Sequence, residues 1–155
     1  MAKKTQHKQP SIKNRKARFQ YELLDQFECG VVLLGTEVKS IRAGQGSLEE
    51  AFATIEGGEI WLLGFHIPTY EHGNVHNHDP NRRRKLLLHK REIAKITPKL
   101  TLKGLTLVPV KVYFNERGLA KVTLALAKGK THGDKRQDMK TRDAKREMDR
   151  AIKDR

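Results

Sequence analysis

The chain has 155 residues, a single cysteine and a formal net charge of +14. One cysteine leaves no internal disulfide and fits a reducing compartment, and the basic start has no apolar segment behind it, so no signal peptide is expected. No stretch approaches the ~18 apolar residues of a membrane span.

The charge is unevenly placed. Residues 1–18 carry seven Lys or Arg and no acid, and residues 128–155 carry eleven against six acids. The 109 residues between are close to neutral, at +2. Two basic ends on a neutral body point to a polyanion, because Lys and Arg gain affinity by releasing counterions from phosphates. Nucleic acid is the leading partner. An anionic membrane surface ranks lower, since the C-terminal stretch lacks the Trp, Phe and Leu of an interfacial helix.

Residues 1–13 read as a flexible basic arm. From Arg18 to Ile41 the text is strand-like, with Phe19, Tyr21 and Leu23, then Val32 and Leu34, in alternation. Gly30 and Gly35 punctuate it as bulges or bends. "AGQGSLEEA" is a loop with one helical turn, because Ser47 and Glu50 have capping-box spacing. "AFATIEGGEIWLLGFHI" is a hairpin turning at Gly57-Gly58. Residues 68–84 make a long polar loop. "RKLLLHKREIAKI" is expected to be the one helix of the body, with Leu86, Leu87, Ile93 and Ile96 mainly on one face and Asp79-Pro80 as its start. Thr106–Phe114 and Leu119–Ala127 are strands around an Asn115–Gly118 turn. Val108, Val110, Val112 and Phe114 alternate in the first, and Val122, Leu124 and Leu126 in the second. The sum is mainly β: an OB-like Greek-key barrel of about six strands over residues 14–127, with one or more flanking helices, then a basic tail over 128–155.

Catalytic chemistry finds little support. His72, His76, His78 and Asp79 lie within eight residues, but Gly73 and Asn74 argue against the helix that would bring His72 and His76 to one metal, and no second carboxylate motif accompanies them. A mobile polar loop explains them better than a metal nuclease. Cys29 reads as a small buried residue rather than a nucleophile. "GQG" and "EGG" lack the Lys-Ser/Thr step of a phosphate loop. The basic clusters at 12–19, 82–91 and 128–136 are more telling, and Arg15, Arg18, Arg82, Arg83 and Arg84 have the planar fork that reads phosphate. "GTEVKSIR" would put Glu37, Lys39, Ser40 and Arg42 at the end of a barrel strand. A carboxylate on a phosphate-binding face accepts from a base edge or ribose hydroxyl, orients an arginine, or forms a surface pair with Lys39.

The stretches "NRKA", "FECG", "GTEVKSIRAG", "RRRKLLLHKREI", "TLVPVKVYF" and "AKGK…DKR" resemble, in order and spacing, the bacterial SsrA-binding protein (SmpB) family, from about Lys8 to Arg146. The resemblance implies an OB-like barrel that binds the tRNA-like domain of transfer-messenger RNA (tmRNA) and brings it to the A site of stalled ribosomes, in the cytoplasm, with neither catalysis nor cofactor. It implies small-subunit rRNA as a partner, and elongation factor Tu and alanyl-tRNA synthetase indirectly through the RNA. A general rRNA-binding OB-fold translation factor is the alternative. Carried over by motif, the tmRNA face comprises Asn14, Arg15, Lys16, Glu28, Glu37, Lys39, Arg42, Arg82, Arg84, Lys85 and Leu86. Gly129, Lys130, His132, Asp134, Lys135, Arg136, Lys140, Arg142, Lys145 and Arg146 would meet the decoding centre and the empty mRNA channel. The family pattern carries an aromatic or histidine ring directly before Asp-Lys-Arg; here Gly133 stands there and His132 one place earlier.

Taken as a helix, Asp134 to Lys153 spans about 30 Å. Asp138–Arg142 and Asp149–Lys153 are favourable (i, i+4) pairs. Its apolar stripe of Ala144, Met148, Ala151 and Ile152 is too thin to pack firmly on the barrel. The tail is therefore expected to be disordered when free and helical along rRNA.

Overall fold

Six antiparallel strands close on themselves in the order β6-β3-β4-β5-β2-β7 and back to β6: Tyr21–Val31 (β2), Phe52–Glu56 (β3), Glu59–Leu63 (β4), Arg84–Leu87 (β5), Thr106–Phe114 (β6) and Ala120–Gly129 (β7). A two-residue strand, Ile12–Lys13 (β1), adds to the free part of β6's edge. The computed structural model describes residues 9–73, 77–102 and 104–153, without the side chain of His132. The β3–β4 hairpin turns at Gly57-Gly58 and β6 pairs with β7, as the sequence suggested.

Two bulges let single strands serve two cores. Between Leu23 and Gln26, β2 carries one extra residue against β7. The parity of the pleat flips there. Tyr21 and Leu23 thus pack outside the barrel with Ala17, Val108 and Ala127, while Phe27 and Cys29 enter the main core. An extra residue between Pro109 and Lys111 does the same for β6. The even alternation of Val108, Val110, Val112 and Phe114 is therefore corrected. Leu107, Val112 and Phe114 face the main core, Val108 faces the small outer cluster, and Val110 sits at the bulge. Pro109 is tolerated there because the bulge interrupts the ladder.

Three local expectations change. "GTEVKSIR" is a helix, Gly35–Arg42 (α2), not a strand end. Val38 and Ile41 are three apart and both pack inward, so a helical period fits the apolar residues better than alternation does. "RKLL" is strand β5, and the helix begins only at Lys90, running to Leu102 (α3). A short apolar run does not distinguish the two by itself; pairing of β5 with β4 and β2 decides it. Asp79 starts a turn rather than a helix, accepting from Asn81 N–H at 3.0 Å. Ser47 caps no helix and instead bridges to His66 through both backbone bonds.

The arm is shorter than expected, because Ile12 is buried in the core and β1 is paired; residues 1–8 lie outside the described residues. A single helical turn, Ala17–Gln20 (α1), leads into β2. α3 packs on the barrel through buried Ile96, with Ile93 and Leu100 beside it, and Lys99 reaches Asp25 at the β2 bulge at 3.0 Å. β7 continues to Gly129, two residues into the expected tail, and is followed by one long helix, His132–Lys153 (α4). No helix among the described residues is long and apolar enough to cross a membrane.

Gly64 ends β4 at φ +72°, and a Cβ there would lie 2.4 Å from the Glu50 carbonyl oxygen. Both the left-handed backbone and the backbone contact oppose a side chain. Gly64→Ala should lower stability by about 1–3 kcal/mol, read from urea denaturation midpoints.

Candidate nucleic-acid interface

The sequence places α2 next to the approach to β5, and one carboxylate joins them. Glu37, in the first turn of α2, is fully buried. Its Oε1 accepts from the Leu34 backbone N–H at 2.8 Å and from Arg82 Nη2 at 2.5 Å; its Oε2 accepts from Arg84 Nε. Arg84 is also fully buried, and donates to the Phe65 carbonyl at 2.5 Å and the Pro80 carbonyl at 3.3 Å. Burial alone would raise the Glu37 pKa, but the bonds from Arg82, Leu34 and Arg84 outweigh it and hold it below the usual carboxylate value. Burial pulls Arg84 below its ordinary value, opposed by Glu37. The Glu37–Lys39 surface pair is thereby replaced by a buried bridge.

This bridge changes which side chains reach solvent. Arg84 and Leu86 point inward and are buried; Lys85 and Leu87 point outward. Asn14 is buried as well, donating to the Leu48 and Pro109 carbonyls at 3.1 and 3.0 Å and so bracing the β6 bulge. The side chains of Asn14, Glu37, Arg84 and Leu86 thus lie inside the frame of this face rather than on its surface.

Outside, registers align a row across four strands. Gly30 lies opposite Leu87 on β5 and Lys121 on β7, and Lys121 lies opposite Tyr113 on β6. Beneath it runs a second row of Glu28, Thr123 and Lys111. A Cβ on Gly30 would meet Leu87 Cβ at 3.2 Å, so glycine lets Leu87 lie down across β2. Leu87 remains 52% exposed. Tyr113 donates its hydroxyl to Glu28, and the Lys111 ammonium sits 4.9 Å from the Tyr113 ring centre. Burial, then the Glu28 bond and charge, push the Tyr113 phenol up to about 12, so it stays a donor. An exposed leucine, a ring and three lysines (Lys85, Lys111, Lys121) on one rigid face suit bases and riboses flanked by phosphates. Sequence reasoning named Glu28 and Lys85 but missed Leu87, Lys111, Tyr113 and Lys121. Alternation in "VKVYF" and "LAKVT" carries that signal: the polar residues fall two apart.

The other cations surround this face or the edge beside it. Lys39 and Arg42 lie exposed on α2, over Tyr70 at 5.5 Å and Phe114 at 5.2 Å. Arg15 lines a cleft of about 500 Å³ with Lys13, Gly44 and Gly46. Lys16 pairs with Glu49 at 3.2 Å, and Lys85 with Glu59 at 2.9 Å. Arg82 keeps about a third of its side chain exposed.

Of the tail residues, the first are held and the rest are free of the barrel. Gly129 pairs opposite Tyr21. Lys130 donates to the Arg18 carbonyl at 2.7 Å and pairs with Asp138, which therefore does not serve the expected Asp138–Arg142 pair. Thr131 and Asp134 form a capping box, with Asp134 N–H to Thr131 Oγ1 at 3.3 Å and Thr131 N–H to Asp134 Oδ2 at 3.2 Å. The Thr131 hydroxyl and N–H hold the Asp134 pKa below its usual value, aided by Lys130 and Lys128. Lys135 and Arg142 lie over the Phe19 ring at 5.9 and 5.7 Å. Arg136, Lys140, Lys145 and Arg146 are exposed, as are Met148 and Ile152. His132, whose ring was singled out beside Gly133, lies outside the described side chains.

The nucleophile and metal candidates are occupied elsewhere. Burial, then Glu92 and Glu28, push the Cys29 thiol up to about 12. Both nitrogens of buried His78 are used, Nδ1 by Thr36 Oγ1 and Nε2 by the Ile67 carbonyl, each at 2.8 Å. The carbonyl can only accept, so Nε2 carries the proton and Thr36 donates to Nδ1. His76 lies outside the described residues.

A family model described as SmpB protein matches residues 11–154. A SsrA-binding protein of Chelativorans is 55% identical over 142 residues, covering 92% of each chain. One of Thermosynechococcus vestitus is 59% identical over 143 residues, covering 92% of this chain and 93% of its own. A solved structure described as "tmRNA-SmpB: a journey to the center of the bacterial ribosome" superposes with a TM-score of 0.68 at 53% identity, over 79% of this chain and 86% of the other.

The buried bridge has an acid signature. Because the folded Glu37 pKa is depressed, its contribution to stability is complete above the unfolded value near 4.5 and is lost as pH falls through the lower folded value. Glu37→Gln should cost about 3–5 kcal/mol at neutral pH, since it leaves Arg84 buried without its counter-charge. It should also flatten the acid limb of stability against pH, measured by urea titration.

Proposed function

The chain belongs to the SmpB family of SsrA-binding proteins, and on that premise we propose how it divides its work between barrel and tail. It binds transfer-messenger RNA and acts with that RNA on the ribosome in trans-translation. The general rRNA-binding factor is set aside, because the relatives carry the narrower name. The observation that supports the barrel's role is the row Leu87–Gly30–Lys121–Tyr113, backed by the Glu37 bridge. An exposed leucine and a ring between lysines fit a folded RNA whose bases and riboses are reachable, such as the tRNA-like domain. Lys39, Arg42, Arg82 and Arg15 extend the phosphate contacts around it.

The tail serves the ribosome. Lys135 and Arg142 stay at Phe19, while Arg136, Lys140, Lys145 and Arg146 face outward on a 22-residue helix, about 33 Å long. A helix with so little to bury gains its order from phosphate contact, so we assign its completion to rRNA beside the decoding centre and the vacant mRNA path. Message and tail would compete for that space, which selects ribosomes lacking a codon. Through the RNA the complex reaches elongation factor Tu and alanyl-tRNA synthetase. The protein works in the cytoplasm as a binding factor without a catalytic step of its own; a thiol at about 12 and a fully bonded His78 support that reading.

Neighbouring leucines separate contact from scaffold. Leu87→Asp should weaken binding of the tRNA-like domain roughly tenfold or more, in filter binding, while shifting stability by only about 0.5 kcal/mol. Leu86→Ala should cost about 2–5 kcal/mol of stability, because its side chain is in the core. Equal effects of the two on RNA binding at full folding would contradict the assignment.

The division of labour is tested by stopping the chain after Lys130, which leaves β7 whole. The truncated protein should bind tmRNA almost as tightly as the full chain and fail to support tagging on stalled ribosomes. Lost tmRNA binding would show that the tail belongs to the RNA site.

A further inference from the structure

The outward side of the β3–β4 hairpin carries a feature that the function above leaves unused. Trp61 faces out there, in register with Thr54 on β3 and Lys85 on β5. The Arg83 guanidinium lies 4.1 Å from the centre of the indole. Glu56 Oε2 holds its Nη1 at 2.9 Å, and Glu59 holds Lys85 in the same manner. Two acids at the hairpin tip thus fix two cations beside one ring. Arg83 keeps 48% of its side chain exposed, so the group is within reach of a ligand from solvent.

We propose that Arg83, stacked on Trp61, is a platform for an unpaired base of the RNA held at the Leu87 face. The inference rests on that RNA-binding reading and extends it by one contact. Two observations and one general principle carry it. Arg83's charge is already met by Glu56, and a second anion beside that carboxylate would be repelled; what the guanidinium still offers is its plane. Planar cations and rings are what proteins use to stack splayed bases. Lys85 and Leu87 both face outward on β5, about 7 Å apart, so the platform adjoins the proposed interface rather than lying behind it.

Trp61 is the only tryptophan in the chain, so its fluorescence reports this site alone. Titrating the full-length protein with the tRNA-like domain should quench Trp61 emission in step with binding measured by mobility shift. Arg83→Lys keeps the charge and loses the plane. It should weaken binding about five- to tenfold, as Arg83→Ala does, and reduce the quenching. Wild-type affinity in Arg83→Lys would reduce the residue to a charge and overturn the proposal. So would unchanged emission at full complex formation, which leaves the RNA-binding function standing. If emission changed only on adding ribosomes to the preformed complex, the face would belong to a ribosomal surface and base stacking would be rejected. Failure of any mobility shift would remove the RNA-binding reading itself and this inference with it.

Discussion

The Glu37 carboxylate, held between Arg82 and Arg84, sets the geometry of the face around it. It reaches 45 and 47 residues along the chain to join α2 to the lead into β5. Taking an arginine fully out of water is costly, and only a counter-charge with further acceptors makes it tolerable. Arg84 has both, in Glu37 and in the carbonyls of Phe65 and Pro80. Once Arg84 is fixed inward, strand parity fixes its neighbours: Leu86 goes in, and Lys85 and Leu87 go out. A slip of one residue would bury Lys85 and Leu87 and expose Arg84. The buried ion bridge thereby acts as a register lock, and the outer face inherits its composition from it.

The same economy governs the bulges. β2 and β6 each face a main core and a small outer cluster, which a regular strand of one parity could not do. The extra residues at Leu23/Gln26 and Pro109/Lys111 change the facing side partway along. Asn14 bonds the Pro109 carbonyl, and its backbone N–H reaches the Val110 carbonyl at 2.8 Å, so the arm holds the β6 bulge in place. A residue taken for an RNA contact is part of the frame that aims Lys111 and Tyr113.

The barrel, its hairpin and its last two strands were legible because turn glycines and long alternating runs signal them locally. The sequence misled where two periods compete. "RKLLLHKREIAKI" contains both a strand and a helix, and only partners distant in sequence decide where one stops. "GTEVKSIR" has the polarity of a surface strand, yet Glu37 and Ser40 are buried because Arg84 and the Pro68 carbonyl are there to receive them. For the candidate site, motif resemblance located the segments but not the facing. Leu86 and Leu87 are equivalent in text and opposite in space. The tail helix was readable from its length and charge spacing, whereas its first contacts were not, since Phe19 engages Arg142 from near the other end of the chain and Asp138 turns back to Lys130.

The near-neutral body and basic ends now have different physical meanings. In the barrel, several carboxylates position cations: Glu49 holds Lys16, Glu56 holds Arg83, Glu59 holds Lys85, and Glu37 holds both of its arginines. The three pairs other than the Glu37 bridge are exposed and add little stability, yet they restrict where each cation points. On the RNA-binding reading proposed for this face, cations aimed by fixed partners would favour recognition by shape, since Lys85 is held on the same strand face as Leu87. Along α4 beyond Arg142 no ion pair among the described residues ties the cations to the body, and attraction to phosphate is long-ranged and tolerant of geometry. Recognition by shape on the barrel and by charge on the tail suits a protein that must hold one particular RNA while probing many identical ribosomes.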